Sequence, residues 1–230
     1  MKPYERHLKP RDMEILDFVH RYRLGTEDML AERVFTAKDS KRNIRRVLRR
    51  LEQRRLLRRE RWDRGYWYYT PTPRSCRLLG LPPQTPEPLS EQSLPTVLAV
   101  AYYCIRHGEQ RLTAKEFAEL YPSLWQPGVR SSSYVLVDTP DGLKLELLLV
   151  DRGGAARRIR SRVRRVIKQR SRLPDFVTLM EIERFRVNVL TGSDEQRDRI
   201  HRQVQKESFA PVEVVSTVVA ELAEILLLRK

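Results

Sequence analysis

Cysteine is nearly absent from this chain of 230 residues: Cys76 and Cys104 stand alone and far apart. That excludes a disulfide framework and a thiolate zinc site, and it predicts a reducing, cytoplasmic setting. Histidine is scarce too, and His7, His20, His107 and His201 fall at no metal-ligand spacing. No run approaches the roughly 18 apolar residues of a membrane helix. Leu145–Val150 and Ile225–Leu228 are far too short to cross a bilayer, so no membrane partner is expected. Met1-Lys2-Pro3-Tyr4-Glu5-Arg6 has no apolar stretch behind it, and no secretory leader is expected. Nine glycines make no phosphate-cradling loop, and Gly153-Gly154 reads as an ordinary strand-to-helix turn. No Gly-x-Ser-x-Gly nucleophile elbow occurs, and Tyr4 has no His-x-His motif to accompany it. The expectation is therefore no cofactor, no metal and no catalytic residue.

What is present is positive charge. Lys and Arg number 45 against 30 acidic residues, a formal net charge of +15. Hydrophobic residues at 40% suffice for a core. The charge is uneven: residues 1–82 carry 22 basic and 11 acidic side chains, and residues 83–230 carry 23 and 19. Lys38–Arg64 holds 13 basic against 4 acidic residues, and Arg152–Arg172 holds 10 basic and no acidic residue. Concentrated cations predict a polyanion partner, because each phosphate they neutralise releases a counterion.

The first cluster sits in a recognisable setting. Pro10-Arg11-Asp12 opens a helix with Ile15, Leu16, Val19 and Tyr22 inward, and Gly25 is expected to end it. Thr26 caps a short helix, Glu27–Arg33. Ser40 caps a third, Lys41–Arg54, whose stripe Ile44, Val47, Leu48, Leu51 leaves a cationic outer face. Leu56–Trp62 and Tyr66–Thr70 read as strands around the turn Asp63-Arg64-Gly65, with Trp62 and Trp67 expected to face each other. Helix, helix, basic helix, hairpin is the order of a winged helix-turn-helix, which predicts binding of double-stranded DNA. The expected contacts are Lys41, Arg42, Asn43, Arg45, Arg46, Arg49 and Arg50 on the helix and Arg61 and Arg64 on the wing.

Leu81–Pro88 has four prolines in eight residues and reads as a stiff linker. The domains expected are a winged helix over 8–80, a linker and helical connector over 81–128, and an α/β domain over 129–230. The connector holds two helices, Pro95–Arg106 and Thr113–Tyr121. In the last domain, strands Ser133–Asp138 and Leu143–Val150 flank a turn at Thr139–Gly142. An Arg-rich helix, Ala155–Arg172, follows, then strands Phe176–Met180 and Arg186–Leu190 and a helix Asp194–Lys206. A strand Val212–Val215 and a helix Thr217–Leu228 close the chain. The fold class is α+β, ending in a mixed sheet with helices packed on it.

Leu8–Leu16, Arg42–Leu51 and Leu56–Arg59 together resemble the replication-relaxation family of bacterial plasmids and integrative elements. The resemblance is clearest over residues 8–80. It implies a winged helix joined to a domain like the PD-(D/E)xK nucleases, and a role in transcriptional regulation, replication or transfer of a mobile element. Leu147–Gly153 resembles the strand carrying that fold's acid-x-acid element. Asp151 keeps one acidic position, the other is Leu149, and Val129–Ser133 has no acid where the earlier Pro-Asp element would fall. Asp138, Glu146 and Asp151 are the acids on these strands or at their ends. Glu146 and Asp151 are an odd number of residues apart, so a strand turns them to opposite faces. The expectation is an inactive nuclease-like scaffold with a secondary basic patch at Arg158, Arg162 and Arg165. The alternatives are a metal-dependent nuclease using those acids, and an adaptor for an acidic protein or RNA. Paired half-sites would call for a homodimer, for which no heptad speaks.

Overall fold

The computed structural model describes residues 8–62, 66–81, 89–126, 129 and 132–227 of a mixed α+β chain with two separate sheets. The chain divides into two compact units, Met1–Val97 and Leu98–Lys230. The turn Asp63-Arg64-Gly65 and most of the proline-rich linker, residues 82–88, lie outside the described residues.

In the first unit, Pro10 starts α1 (Pro10–Tyr22), and the Asp12 carboxylate accepts a hydrogen bond from the Lys9 backbone at 3.0 Å. This occupies an amide at the helix start that would otherwise lack a partner. The helix ends three residues before Gly25, with Arg23 in the left-handed region at φ 66°. Gly25 has a different task from the expected stop. It forms β1 (Gly25–Thr26), where a Cβ would meet Val19 at 3.1 Å and Leu30 at 3.3 Å. Thr26 caps α2 (Glu27–Val34), accepting from the Met29 amide at 3.2 Å, and Ser40 caps α3 (Lys41–Gln53) through the Asn43 amide at 3.2 Å. Strands β2 (Leu57–Arg61) and β3 (Trp67–Pro71) complete an antiparallel sheet of order β1-β3-β2.

The hairpin register differs from expectation. Arg61, not Trp62, lies opposite Trp67. The Trp62 amide donates to the Tyr66 carbonyl at 2.8 Å, and the Trp62 ring meets Tyr66 at 6.3 Å between centroids. A one-residue offset turns each side chain to the other face. A further helix, α4 (Pro73–Leu78), follows, capped by Thr72 and Ser75.

Helix α5 (Leu94–His107) runs across the division between the units. In the second unit, α6 (Ala114–Leu120) and a 3-10 turn (Pro122–Leu124) add Phe117 and Leu124 to the unit's hydrophobic core. Strands β4 (Ser133–Thr139) and β5 (Gly142–Val150) form an antiparallel hairpin. β5 then runs parallel to β6 (Phe185–Thr191), and β6 parallel to β7 (Glu213–Val218), in the order β4-β5-β6-β7. The crossovers carry α7 (Ala156–Arg170), α8 (Pro174–Glu181) and α9 (Asp194–Val204), and α10 (Ala220–Leu227) follows β7.

Leu145, Leu147 and Leu149 of β5 and Val187 and Val189 of β6 face a core shared with Ile159 and Val163 of α7. Burying such side chains is worth about 1.5–3 kcal/mol each. The expected strand Phe176–Met180 is instead most of α8. Pro174 and Asp175 suit a first helical turn, and Phe176 and Met180, four residues apart, both enter the core. The last strand and helix also start later than the sequence pattern suggests.

Candidate nucleic-acid interface

Helix α3 divides along its length. Ile44, Val47, Leu48 and Leu51 are all at most 8% exposed, and Lys41, Arg42, Arg45, Arg46 and Arg49 are exposed on the other side. Lys41, Arg42 and Arg49 make no hydrogen bond or ion pair among the described residues. The others are arranged by neighbours. Arg45 Nε binds both Glu27 carboxylate oxygens at 2.9 Å, tying α3 to the start of α2. Arg46 Nη2 donates to Asn43 Oδ1 at 2.8 Å, and Asn43 Nδ2 donates to Asp39 Oδ1 at 2.7 Å.

Asp39 anchors that chain. It accepts from the Thr36 amide at 3.1 Å and hydroxyl at 3.0 Å, and it pairs with Arg11 at 3.3 Å. The Thr36 amide is the main reason its carboxyl is held below the usual range. Asn43 therefore fixes the Arg46 guanidinium rather than standing free. Arg50 turns inward to the carboxylate of Asp12, which is fully buried. Of the expected helix contacts, Arg50 thus serves the packing of α3 on α1. A groove of ≈ 630 Å³ between the start of α1 and α3 is lined by Lys9, Arg11, Asn43, Arg46 and Arg50.

On the hairpin, Trp67 is 40% exposed. The Arg59 guanidinium lies 4.1 Å from its ring centre and that of Arg61 lies 5.9 Å away. Arg59 and Arg61 share a strand face, and Trp67 lies opposite Arg61. Arg64 lies outside the described residues. The sequence reading missed Arg59 and Arg11. The two-residue period of β2 is a signal for the first, whereas Arg11 meets Asp39 only through the fold.

The second unit holds the other named residues. Arg158 and Arg165 are exposed on α7, and Arg162 is half-buried with Nη1 donating to the Val150 carbonyl at 3.2 Å. The three acids do not converge. Asp138 is exposed. Asp151 lies just past β5, accepts from the Gly153 amide at 3.1 Å, and has its carboxyl raised above the usual range chiefly by burial. Glu146 is fully buried and paired with Arg186, and it accepts from Tyr103 Oη at 2.6 Å and Asn188 Nδ2 at 3.1 Å. Among the described residues, no three His, Cys, Asp or Glu side chains gather as a metal site, and no helix is long and apolar enough to cross a membrane.

The chain matches no protein-family model, no curated protein and no solved structure.

Proposed function

We propose that the first unit is a winged helix that binds double-stranded DNA, with α3 in the major groove and the β2–β3 hairpin against the neighbouring backbone. The observation that carries this reading is the division of α3. Its apolar stripe is locked into the core, so its guanidinium face cannot turn away from a partner. Arg reads guanine edges bidentately and neutralises phosphates, so one such face serves both positioning and readout. The element order α1-β1-α2-α3-β2-β3 with sheet order β1-β3-β2 also supports a winged helix. The second unit is a nuclease-like scaffold to which we assign no cleavage, because the Glu146 carboxylate is already spent on Arg186, Tyr103 and Asn188. The chain's role is transcriptional regulation, or an accessory step in replication or transfer of a mobile element.

The test titrates the full-length protein with its own upstream DNA and with a scrambled duplex, across salt and with magnesium present. The products are then run on a denaturing gel. Intact strands and a preference for the upstream sequence are expected, with affinity falling steeply as salt rises. Equal binding to both duplexes would overturn the regulatory role. Cut strands would overturn the assignment of the second unit.

A further inference from the structure

We infer that α7 of the second unit is a separate surface for the phosphate backbone of duplex DNA, acting beside α3 rather than as part of it. This rests on the reading of the chain as a DNA-binding protein, and it adds a second contact with a different kind of readout.

The residues 152–172 include 10 cations and no acid. The fold accounts for some of these internally. Arg170 is fully buried, with Nε donating to Tyr134 Oη at 2.8 Å and Nη2 to Ser132 Oγ at 2.9 Å. Arg164 Nε binds Glu207 at 2.6 Å. Arg160 and Arg162 are half-buried, and the side chains of Arg157, Arg158, Arg165 and Lys168 are exposed with no hydrogen bond or ion pair among the described residues. From Arg157 to Lys168 the helix rises about 16 Å, the axial span of about five phosphates on one strand.

The fold also crowds charge instead of spreading it. Burial comes first, then the nearby guanidiniums of Arg152 and Arg165, in holding Arg162 below the ordinary arginine range. Asp151 acts the other way. Like charges gathered on one face destabilise the free protein and become favourable once a polyanion lies across them. Arg157, Arg158, Arg165 and Lys168 neutralise phosphates whatever the base sequence, and this face is assigned to backbone contact on that ground.

The experiment compares four full-length proteins. They are the unaltered chain, Arg158→Ala with Arg165→Ala and Lys168→Ala, Arg42→Ala with Arg46→Ala on α3, and all five changes together. Thermal melts confirm that each is folded; the altered side chains are all exposed. A labelled duplex is titrated at several salt concentrations, with the upstream and the scrambled sequence. The α7 variant is expected to lose about 3 from the slope of log K against log salt, while its preference between duplexes stays unchanged. The α3 variant should lose the preference yet keep residual salt-dependent binding that the combined variant lacks. An α7 variant with unaltered slope and affinity would overturn this inference and leave the α3 reading standing. Unchanged binding by the α3 variant, with loss in the α7 variant, would overturn the α3 reading and keep this one. An α7 variant that binds duplex normally but loses binding to an RNA or an acidic peptide would assign the face to that partner and overturn the inference.

Discussion

Arg50 of α3 reaches the carboxylate of Asp12 on α1, and Asp12 has no exposed surface. The same carboxylate accepts the Lys9 amide at 3.0 Å. One buried group thus starts α1 and sets the seat of α3. Removing Asp12 leaves the Arg50 guanidinium, 34% exposed, without its partner and the Lys9 amide without its acceptor. Asp12→Ala should lower the stability of the first unit by about 3 kcal/mol, measured by urea unfolding. Asp12→Asn keeps an acceptor and should cost less. Equal stability in all three proteins would show that the pair does not hold the helix.

Glu27 holds Arg45 at 2.9 Å through both carboxylate oxygens. In the proposed complex that pairing competes with phosphate. Glu27→Gln removes the competing charge, and the salt slope of duplex binding should steepen by about 1. The change also takes an acid from the first turn of α2, which costs about 0.3–1 kcal/mol of stability. Tighter binding by a slightly less stable protein is the expected pair of results, and weaker binding would place Arg45 outside the interface.

Glu146 is one of the three acids that the alternative cleavage reading could draw on, and the fold has used it for structure. Tyr103 donates to it at 2.6 Å, and burial followed by the Glu146 charge pushes the Tyr103 hydroxyl far above its ordinary range. Tyr103→Phe should cost about 1.5–3 kcal/mol in unfolding of the second unit, the worth of a hydrogen bond to a charge. Glu146→Ala should cost more, because it leaves Arg186 without its partner. Neither should change whether DNA strands stay intact.

His20 lies with Nε2 3.3 Å from Cys76 Sγ, joining α1 to α4. Burial lowers its pKa below the ordinary value, with Asp17 acting in the other direction. Below about pH 6.5 the unfolded chain therefore binds a proton that the folded chain resists. This stability is present above the unfolded value and lost as pH falls toward the folded one. The urea midpoint should fall between pH 7.5 and 5.5, and His20→Gln should flatten that part of the profile.

The elements legible in sequence are those specified locally. Ser40 and the stripe Ile44, Val47, Leu48, Leu51 mark α3, and the structure places its ends at Lys41 and Gln53. The segment Phe176–Met180 is too short for its period to decide between helix and strand, and Pro174 just before it was the better signal. The offset of Trp62 from Trp67 depends on the geometry of the hairpin connection, which residue types alone leave open. The pairs Arg45–Glu27 and Arg50–Asp12 join residues 18 and 38 positions apart. Which arginines point outward was therefore decided by tertiary contacts that no local pattern records.

The most direct test of the account is duplex binding by Arg42→Ala with Arg46→Ala, measured by fluorescence anisotropy against the upstream and scrambled sequences at one fixed salt concentration. Both side chains are exposed on α3, so the fold should survive. The account predicts a loss of about 100-fold on the upstream sequence, of the order expected for two base or phosphate contacts, and a collapse of the preference over the scrambled duplex. Unchanged affinity with unchanged preference would contradict it, and α3 would then be a solvated surface rather than the element that reads DNA.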